Sequence, residues 1–278
     1  MALLWCRTMG SDSLPHHQMQ AVINYLRGSV ATIFIKSGVP DVGGSGWFLS
    51  AAGSVFIVTA SHVAKRMSNG FGVASLSRPG VPVDIGETRA YISPDEEEEK
   101  QDVAAFELIE KEKADQVCSL WNVLGPSDLL HDTSPKGIYI VAGAPLGRMR
   151  KKEEGRLVGK FLQIVCSTYR GNDRSTLAPD IFRLSFDQKW KTVGGAENKA
   201  GRLDGLSGCP VWKVRDDEKE QLWSAGCQLR IVGIQVACKH DEYIVVHGIR
   251  LVAEAITKLN AQAGKELFSG LKLEGASS

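Results

Sequence analysis

Asp204-Gly205-Leu206-Ser207-Gly208-Cys209-Pro210 sets a serine among glycines, with a proline three residues further on. Glycine reaches backbone angles closed to other residues and proline fixes its own φ, so the stretch reads as a tight, rigid turn. Such a turn presents the Ser207 hydroxyl outward and aims neighbouring backbone N–H groups inward. A serine hydroxyl is a weak nucleophile until a base takes its proton, and a tetrahedral oxyanion needs pre-aimed donors. The turn therefore predicts a histidine and an acid elsewhere in the chain.

Both lie upstream. Phe56-Ile57-Val58-Thr59-Ala60-Ser61-His62-Val63 is a β-branched, apolar strand ending in a small-residue step that carries His62. In Asp102-Val103-Ala104-Ala105-Phe106-Glu107-Leu108 an aspartate opens an apolar strand just after the charged run 95–100. Taken singly, each of the three residues has an ordinary structural reading: a serine in a turn, a hydrogen-bonded histidine, an aspartate cap.

Together, Thr59-Ala60-Ser61-His62-Val63, Asp102-Val103-Ala104 and Gly205-Leu206-Ser207-Gly208-Cys209-Pro210 resemble the His, Asp and Ser motifs of the chymotrypsin-like (trypsin-like) serine peptidases, in that family's chain order. Gly44-Ser45-Gly46-Trp47-Phe48 is similar to the strand before the histidine in the HtrA-like branch. Ile231-Val232-Gly233-Ile234 resembles the family's substrate-edge strand, and His247-Gly248-Ile249 leads into a terminal helix as in that branch. The resemblance spans about residues 29–260. It implies an all-β fold of two antiparallel six-stranded β-barrels, with Ser207 as nucleophile, His62 as general base and then acid, and Asp102 orienting the imidazole. The oxyanion hole would be the backbone N–H groups of Gly205 and Ser207. Gly201, Gln235, Val236, Ala237 and His247 would border the substrate, His247 as a wall of the primary specificity pocket. No metal or organic cofactor is implied, and the partner is a polypeptide substrate. The alternative is a catalytically weak or silent member that acts as a protein-binding module.

Two departures bear on this reading. Leu206 precedes the nucleophile where digestive relatives have an aspartate, so activation through an ion pair with a newly cut N-terminus is unavailable. Gly201 stands six residues before Ser207 instead of an aspartate, which removes support for cleavage after Lys or Arg. Cys209 invites a cysteine-nucleophile reading, but it occupies a spacer position within the turn and reads as a small buried residue.

At 278 residues, with 43% apolar residues, the chain is long enough for two modest barrels sharing an interface. Lys and Arg total 33 against 32 for Asp and Glu, so no whole-molecule field argues for nucleic acid or a membrane surface. The six cysteines include none close to His62 in sequence, so the bridge common at that histidine in secreted relatives cannot form. Free thiols in a reducing compartment follow, with Cys227 and Cys238 the pair to test. Met1-Ala2-Leu3-Leu4-Trp5-Cys6 is too short an apolar run for a signal peptide, and no segment has membrane-spanning length, which favours a cytoplasmic location.

Residues 1–28 read as an N-terminal extension with a short amphipathic helix over 15–27, marked by Met19, Val22, Ile23 and Leu26. The adjacent His16 and His17 do not share a helix face, so a metal site there is disfavoured. Residues 29–262 form the catalytic unit. Its first barrel covers about 29–125, with a glycine-rich turn at 38–44 and short strands following. A connector runs over 111–135, and the second barrel covers about 136–250. The acidic run 95–99 reads as a solvated loop rather than a calcium site, and the basic cluster at 148–152 as a solvated hairpin. The polar segment 189–202 approaches the nucleophile turn. An amphipathic helix over about 249–260 closes the unit, and 263–278 reads as a loosely held tail.

Overall fold

Val30–Ile35 is apolar or β-branched at every position and buried at every position, which makes it a strand interior to a sheet (β1). The computed structural model describes residues 16–35, 41–67, 70–75, 77, 82–94, 101–131, 136–145, 149–151, 157–159, 161–169, 180–186, 189–191, 197–199, 203–215, 224–239 and 242–273. The helix α1 (His16–Ser29) runs directly into β1. It sends Val22 and Leu26 into the core, and the Tyr25 ring meets the edge of Trp212 at 5.6 Å between centroids.

Around β1 the first sheet assembles β2 (Asp41–Ala51), β3 (Ser54–Thr59), β4 (Phe71–Ser75), β5 (Val83–Asp84), β6 (Thr88–Ile92) and β7 (Ala104–Leu108), in the order β5-β4-β1-β2-β3-β7-β6. The two-residue edge strand β5 brings it to seven strands where six are expected. Gly43 and Gly44 lie within β2 rather than in a turn. A five-residue helix, α2 (Ser61–Lys65), follows β3.

The expected connector contains a helix of its own, α3 (Lys111–Leu120), which buries Val117 while Trp121, just beyond it, packs on Phe48. Its periodicity is masked by charge, since five of its ten residues are charged or amide-bearing. After a 3₁₀ turn at Pro126–Asp128 comes β8 (Leu130–His131).

The second sheet comprises β9 (Ile138–Gly143), β12 (Leu162–Ser167), β13 (Ile181–Ser185), β16 (Pro210–Val214), β17 (Leu229–Lys239) and β18 (Tyr243–Gly248), in the order β12-β9-β16-β17-β18-β13. Two antiparallel hairpins stand apart from it: β10 (Met149–Lys151) with β11 (Leu157–Gly159), at the basic cluster, and β14 (Lys189–Lys191) with β15 (Glu197–Lys199). A one-turn helix, α4 (Ala225–Gln228), precedes β17. Both sheets are antiparallel and curled, each a half-barrel, so the fold is the mostly-β double barrel the motifs imply.

The C-terminal part differs from expectation. Helix α5 (Ile249–Leu259) packs its apolar face as predicted, but residues 261–270 form a further helix, α6 (Ala261–Gly270), instead of a loose tail. Asn260 Oδ1 caps α6 by accepting the Ala263 N–H at 3.1 Å. Gly264 lets the two helices touch, since a Cβ there would lie 2.1 Å from Thr257 Oγ1. Ala263 and Leu267 are buried, and β19 (Lys272–Leu273) pairs in parallel with β8. The Asn260 amide also donates to Glu107 Oε1 at 3.1 Å; the buried Glu107 carboxylate accepts from Ser54 Oγ at 2.8 Å and from the Arg89 guanidinium as well. That cluster ties the terminal helices to the first sheet.

Candidate active site

His62 is the second residue of α2, so the strand β3 ends at Thr59 and the chain turns before presenting the imidazole. Asp102 lies two residues ahead of β7. Its carboxylate grips His62 twice: Oδ1 accepts the His62 backbone N–H at 3.0 Å, and Oδ2 lies 2.6 Å from Nδ1. An ionised carboxylate is an acceptor only, so Nδ1 carries a proton, and in the neutral form of the ring the lone pair is left on Nε2. The His62 side chain is 49% exposed and that of Asp102 23%, which leaves the ring open on the side away from the acid. Burial works against the Asp102 charge, yet the His62 hydrogen bond, its charge and its backbone N–H together hold the carboxyl below the usual aspartate range.

The segment that carries Asp102 is pinned on both sides. Ser93, just past β6, accepts the Val103 N–H on its Oγ at 3.2 Å and donates its own N–H to the Val103 carbonyl at 3.1 Å; its hydroxyl also donates to the Gln101 carbonyl. The Asp102 N–H donates to Nδ1 of His247 at 2.9 Å.

Residues 203–209 form two successive tight turns, closed by Leu206 N–H to Leu203 O at 3.1 Å and Cys209 N–H to Leu206 O at 2.8 Å. Gly205 and Gly208 take φ of 90° and 89°, the left-handed side that favours glycine. Among the described residues, the N–H groups of Gly205 and Ser207 donate to no backbone carbonyl, whereas those of Leu206, Gly208 and Cys209 do.

The Gly44-Ser45-Gly46 stretch of β2 straps this turn to the first sheet. Ser45 N–H donates to the Ser207 carbonyl at 2.9 Å, and Ser45 Oγ donates to the Gly205 carbonyl at 2.7 Å. Thr59 Oγ1 in turn donates to the Ser45 carbonyl at 2.7 Å. The approach is so close that a Cβ on residue 208 would sit 2.2 Å from Ser45 O and 2.9 Å from the Ala60 nitrogen; one on residue 44 would meet Val63 at 2.7 Å and Ser207 O at 3.0 Å. The residues flanking His62 and Ser207 thus pack together. No hydrogen bond joins Ser207 Oγ to His62 among the described residues. The motifs of β2 and β3 were legible, but not that Ser45 and Thr59 brace the turn.

The remaining candidates separate. Gly201 lies outside the described residues, as does the acidic run 95–99. Gln235 is almost fully buried on β17 and brackets the turn with its backbone: Gly208 N–H donates to its carbonyl at 2.8 Å and its N–H donates to Cys209 O at 3.0 Å. Its side-chain Oε1 is buried without a hydrogen-bond partner among the described residues. A bulge follows it, Val236 is buried in the core shared by the two sheets and Ala237 is exposed. His247 is 1% exposed and sits behind Asp102, not at an open pocket wall. Burial pushes its pKa down to about 4, against the pull of the Asp102 charge.

Leu206 and Cys209 are buried in the second core with Leu203 and Val246. Burial also drives the Cys209 thiol well above its ordinary range, so it is protonated and inert. None of the described cysteines, 118, 166, 209, 227 and 238, forms a disulfide, so Cys227 and Cys238 are not bridged. Among the described residues no group of His, Cys, Asp and Glu is arranged to hold a metal ion, and no helix is long and apolar enough to cross a membrane. A shallow cleft of about 370 Å³ between α1 and the end of α3, with Asn24, Cys118 and Asn122 on its walls, shares no residue with the site.

No family model and no curated protein matches the chain. Solved structures do. A chain from work on the coupled folding and binding of the intrinsically disordered Sesbania mosaic virus VPg protein is 16% identical, with a TM-score of 0.49 and coverage of 84% of this chain and 92% of that one. The active form of the Rv3671c protease from M. tuberculosis is 16% identical, with a TM-score of 0.48 and coverage of 93% and 95%. Its inactive form is likewise 16% identical, with a TM-score of 0.46 and coverage of 91% and 99%. At such identities and TM-scores they assign no chemistry to this chain.

Proposed function

We propose that the chain is a serine endopeptidase of the chymotrypsin-like kind, its catalytic unit covering about residues 29–262. His62 Nε2 takes the proton from Ser207 Oγ as the oxygen adds to the scissile carbonyl carbon. The carbonyl oxygen becomes an oxyanion that accepts from the Gly205 and Ser207 N–H groups. Asp102 holds the imidazole in the Nδ1–H tautomer and stabilises the imidazolium. His62 then gives its proton to the leaving amine, the C–N bond breaks, and water, deprotonated by the same nitrogen, hydrolyses the Ser207 ester. The observation that carries this reading is the double grip of Asp102 on His62, at 3.0 and 2.6 Å, beside a glycine-built serine turn.

The HtrA-like branch is the affiliation its Gly-Ser-Gly strand and terminal helix suit best. A second reading, a silent fold that binds polypeptides, draws on the missing hydrogen bond between Ser207 Oγ and His62. A fluorophosphonate probe on purified protein separates the two. The peptidase reading expects labelling of wild type and none of Ser207→Ala or His62→Ala; folded wild type that stays unlabelled would favour the binding module.

A further inference from the structure

His247 enters the site from the opposite sheet. Successive residues of an extended chain aim their N–H groups to opposite sides. Residues 101 and 103 spend their backbone groups on Ser93, so the Asp102 N–H faces away from it, toward the second sheet. Without an acceptor there it would be a part-buried donor left unpaired. His247 Nδ1 supplies that acceptor at 2.9 Å.

The acceptor is held rigidly. β18 lies between β17 and β13, with His247 in register with Ile234 on one side and Ile181 on the other. A Cβ on residue 233 would be 2.2 Å from the His247 carbonyl oxygen, so only glycine fits against it, and the next residue, Gly248, donates its N–H to Asp180 O at 2.6 Å. Ile234 belongs to the core shared with the first sheet, while Val246 belongs to the second core, so alternation turns His247 toward Asp102.

We infer that His247 is a positioning residue: its Nδ1 lone pair fixes the Asp102 backbone so that the carboxylate engages both N–H groups of His62. The inference rests on the peptidase reading for its catalytic consequence, though not for its geometry. It requires a neutral ring with its proton on Nε2, and burial, which lowers the His247 pKa, supports that state. Asn places an amide oxygen near the position of Nδ1, whereas Phe fills the space without an acceptor.

The test compares wild type, His247→Phe and His247→Asn, with histidines labelled by ¹⁵N. Wild type is expected to show His247 unprotonated at Nδ1 at pH 7, and a low-field proton resonance for His62 Nδ1–H bonded to Asp102. His247→Phe should displace or broaden that resonance and slow probe labelling of Ser207 by roughly 100-fold through the maximal rate rather than probe affinity. His247→Asn should restore both. A folded His247→Phe protein with an unchanged resonance and rate overturns the inference, as does an Asn variant no better than Phe. A proton found on Nδ1 of wild-type His247 overturns it even where the Phe variant does not fold. Wild type that takes no probe sinks the peptidase reading alone, and the His62 resonance still decides the role of His247.

Discussion

The first sheet brings His62 and Asp102 to the site as side chains held by hydrogen bonds, whereas the second brings residues 203–209 as a backbone turn held by glycines and close contacts. A side chain can lose its chemistry and leave its surroundings standing. A turn built on left-handed glycines cannot lose its geometry without disturbing the strands packed on it. Substitutions in the two regions should therefore separate activity from stability.

The largest separation is expected at Asp102. Asp102→Asn keeps the shape but allows the wrong imidazole tautomer, so the labelling rate of Ser207 should fall by about 10⁴, the magnitude general to such triads. The melting temperature should change little near pH 7. If the variant instead unfolds under conditions where wild type is folded, the first sheet's contribution is structural and the contrast collapses.

Gly208→Ala should do the reverse and act first on stability. Its φ is 89°, and the new Cβ would lie 2.2 Å from Ser45 O, a backbone atom in the strand that braces the turn. The expected cost is about 4 kcal/mol or more in urea unfolding. Gly53→Ala is the control, since it too has a positive φ, of 76°, but nothing within 4 Å. It should cost only about 1 kcal/mol. Equal effects at the two glycines would show that φ alone, not the grip of Ser45 and Thr59, matters at the turn.

The same contrast explains what the sequence disclosed. The pairing of His62 with Asp102 could be anticipated because the proposed chemistry demands particular residue types in particular contexts, and most strands were legible because β-branched runs are bounded by turn residues. Ser45 and Thr59 were not, because a serine and a threonine on strands have many uses and only tertiary contact selects one. His247 was misplaced at a pocket wall because sequence order puts it on the right strand without saying which face it takes. Helices α3 and α6 were missed for different reasons. In α3 the apolar positions are diluted by charge, and α6 falls in what reads as a loosely held tail, where only tertiary contact shows that Gly264 is there to admit Thr257.

His247 also gives the junction between the sheets a pH signature. Its pKa falls from 6.5 to about 4 on folding, with burial as the cause and the Asp102 charge opposing. Between those values the unfolded chain binds more protons than the folded one, so stability is full above pH 6.5 and falls as pH drops toward 4. The loss amounts to about 3 kcal/mol across that window. The Asp102 carboxyl, held below its usual range, stays ionised through most of it and adds its own loss only at lower pH. Urea unfolding at pH 7 and pH 4.5 should show the loss in wild type and its near absence in His247→Asn. A wild-type stability flat across the window would mean that the folded ring takes its proton near pH 6.5 without cost, so that its bond from the Asp102 N–H contributes nothing to stability.

The smallest effect expected lies at Gln235, where the second sheet's reliance on backbone can be tested most directly. Its N–H and carbonyl bracket the serine turn through Cys209 and Gly208, yet its Oε1 is buried without a partner among the described residues. A lone buried amide oxygen costs free energy that an apolar side chain of similar length avoids, while Gln235→Met leaves both backbone bonds in place. The variant should therefore match wild type or exceed it by up to about 1 kcal/mol in urea unfolding. A clear loss of stability would show that the amide, and not the backbone alone, holds the turn. Ser207 would then depend on side-chain hydrogen bonding in the second sheet as His62 does in the first.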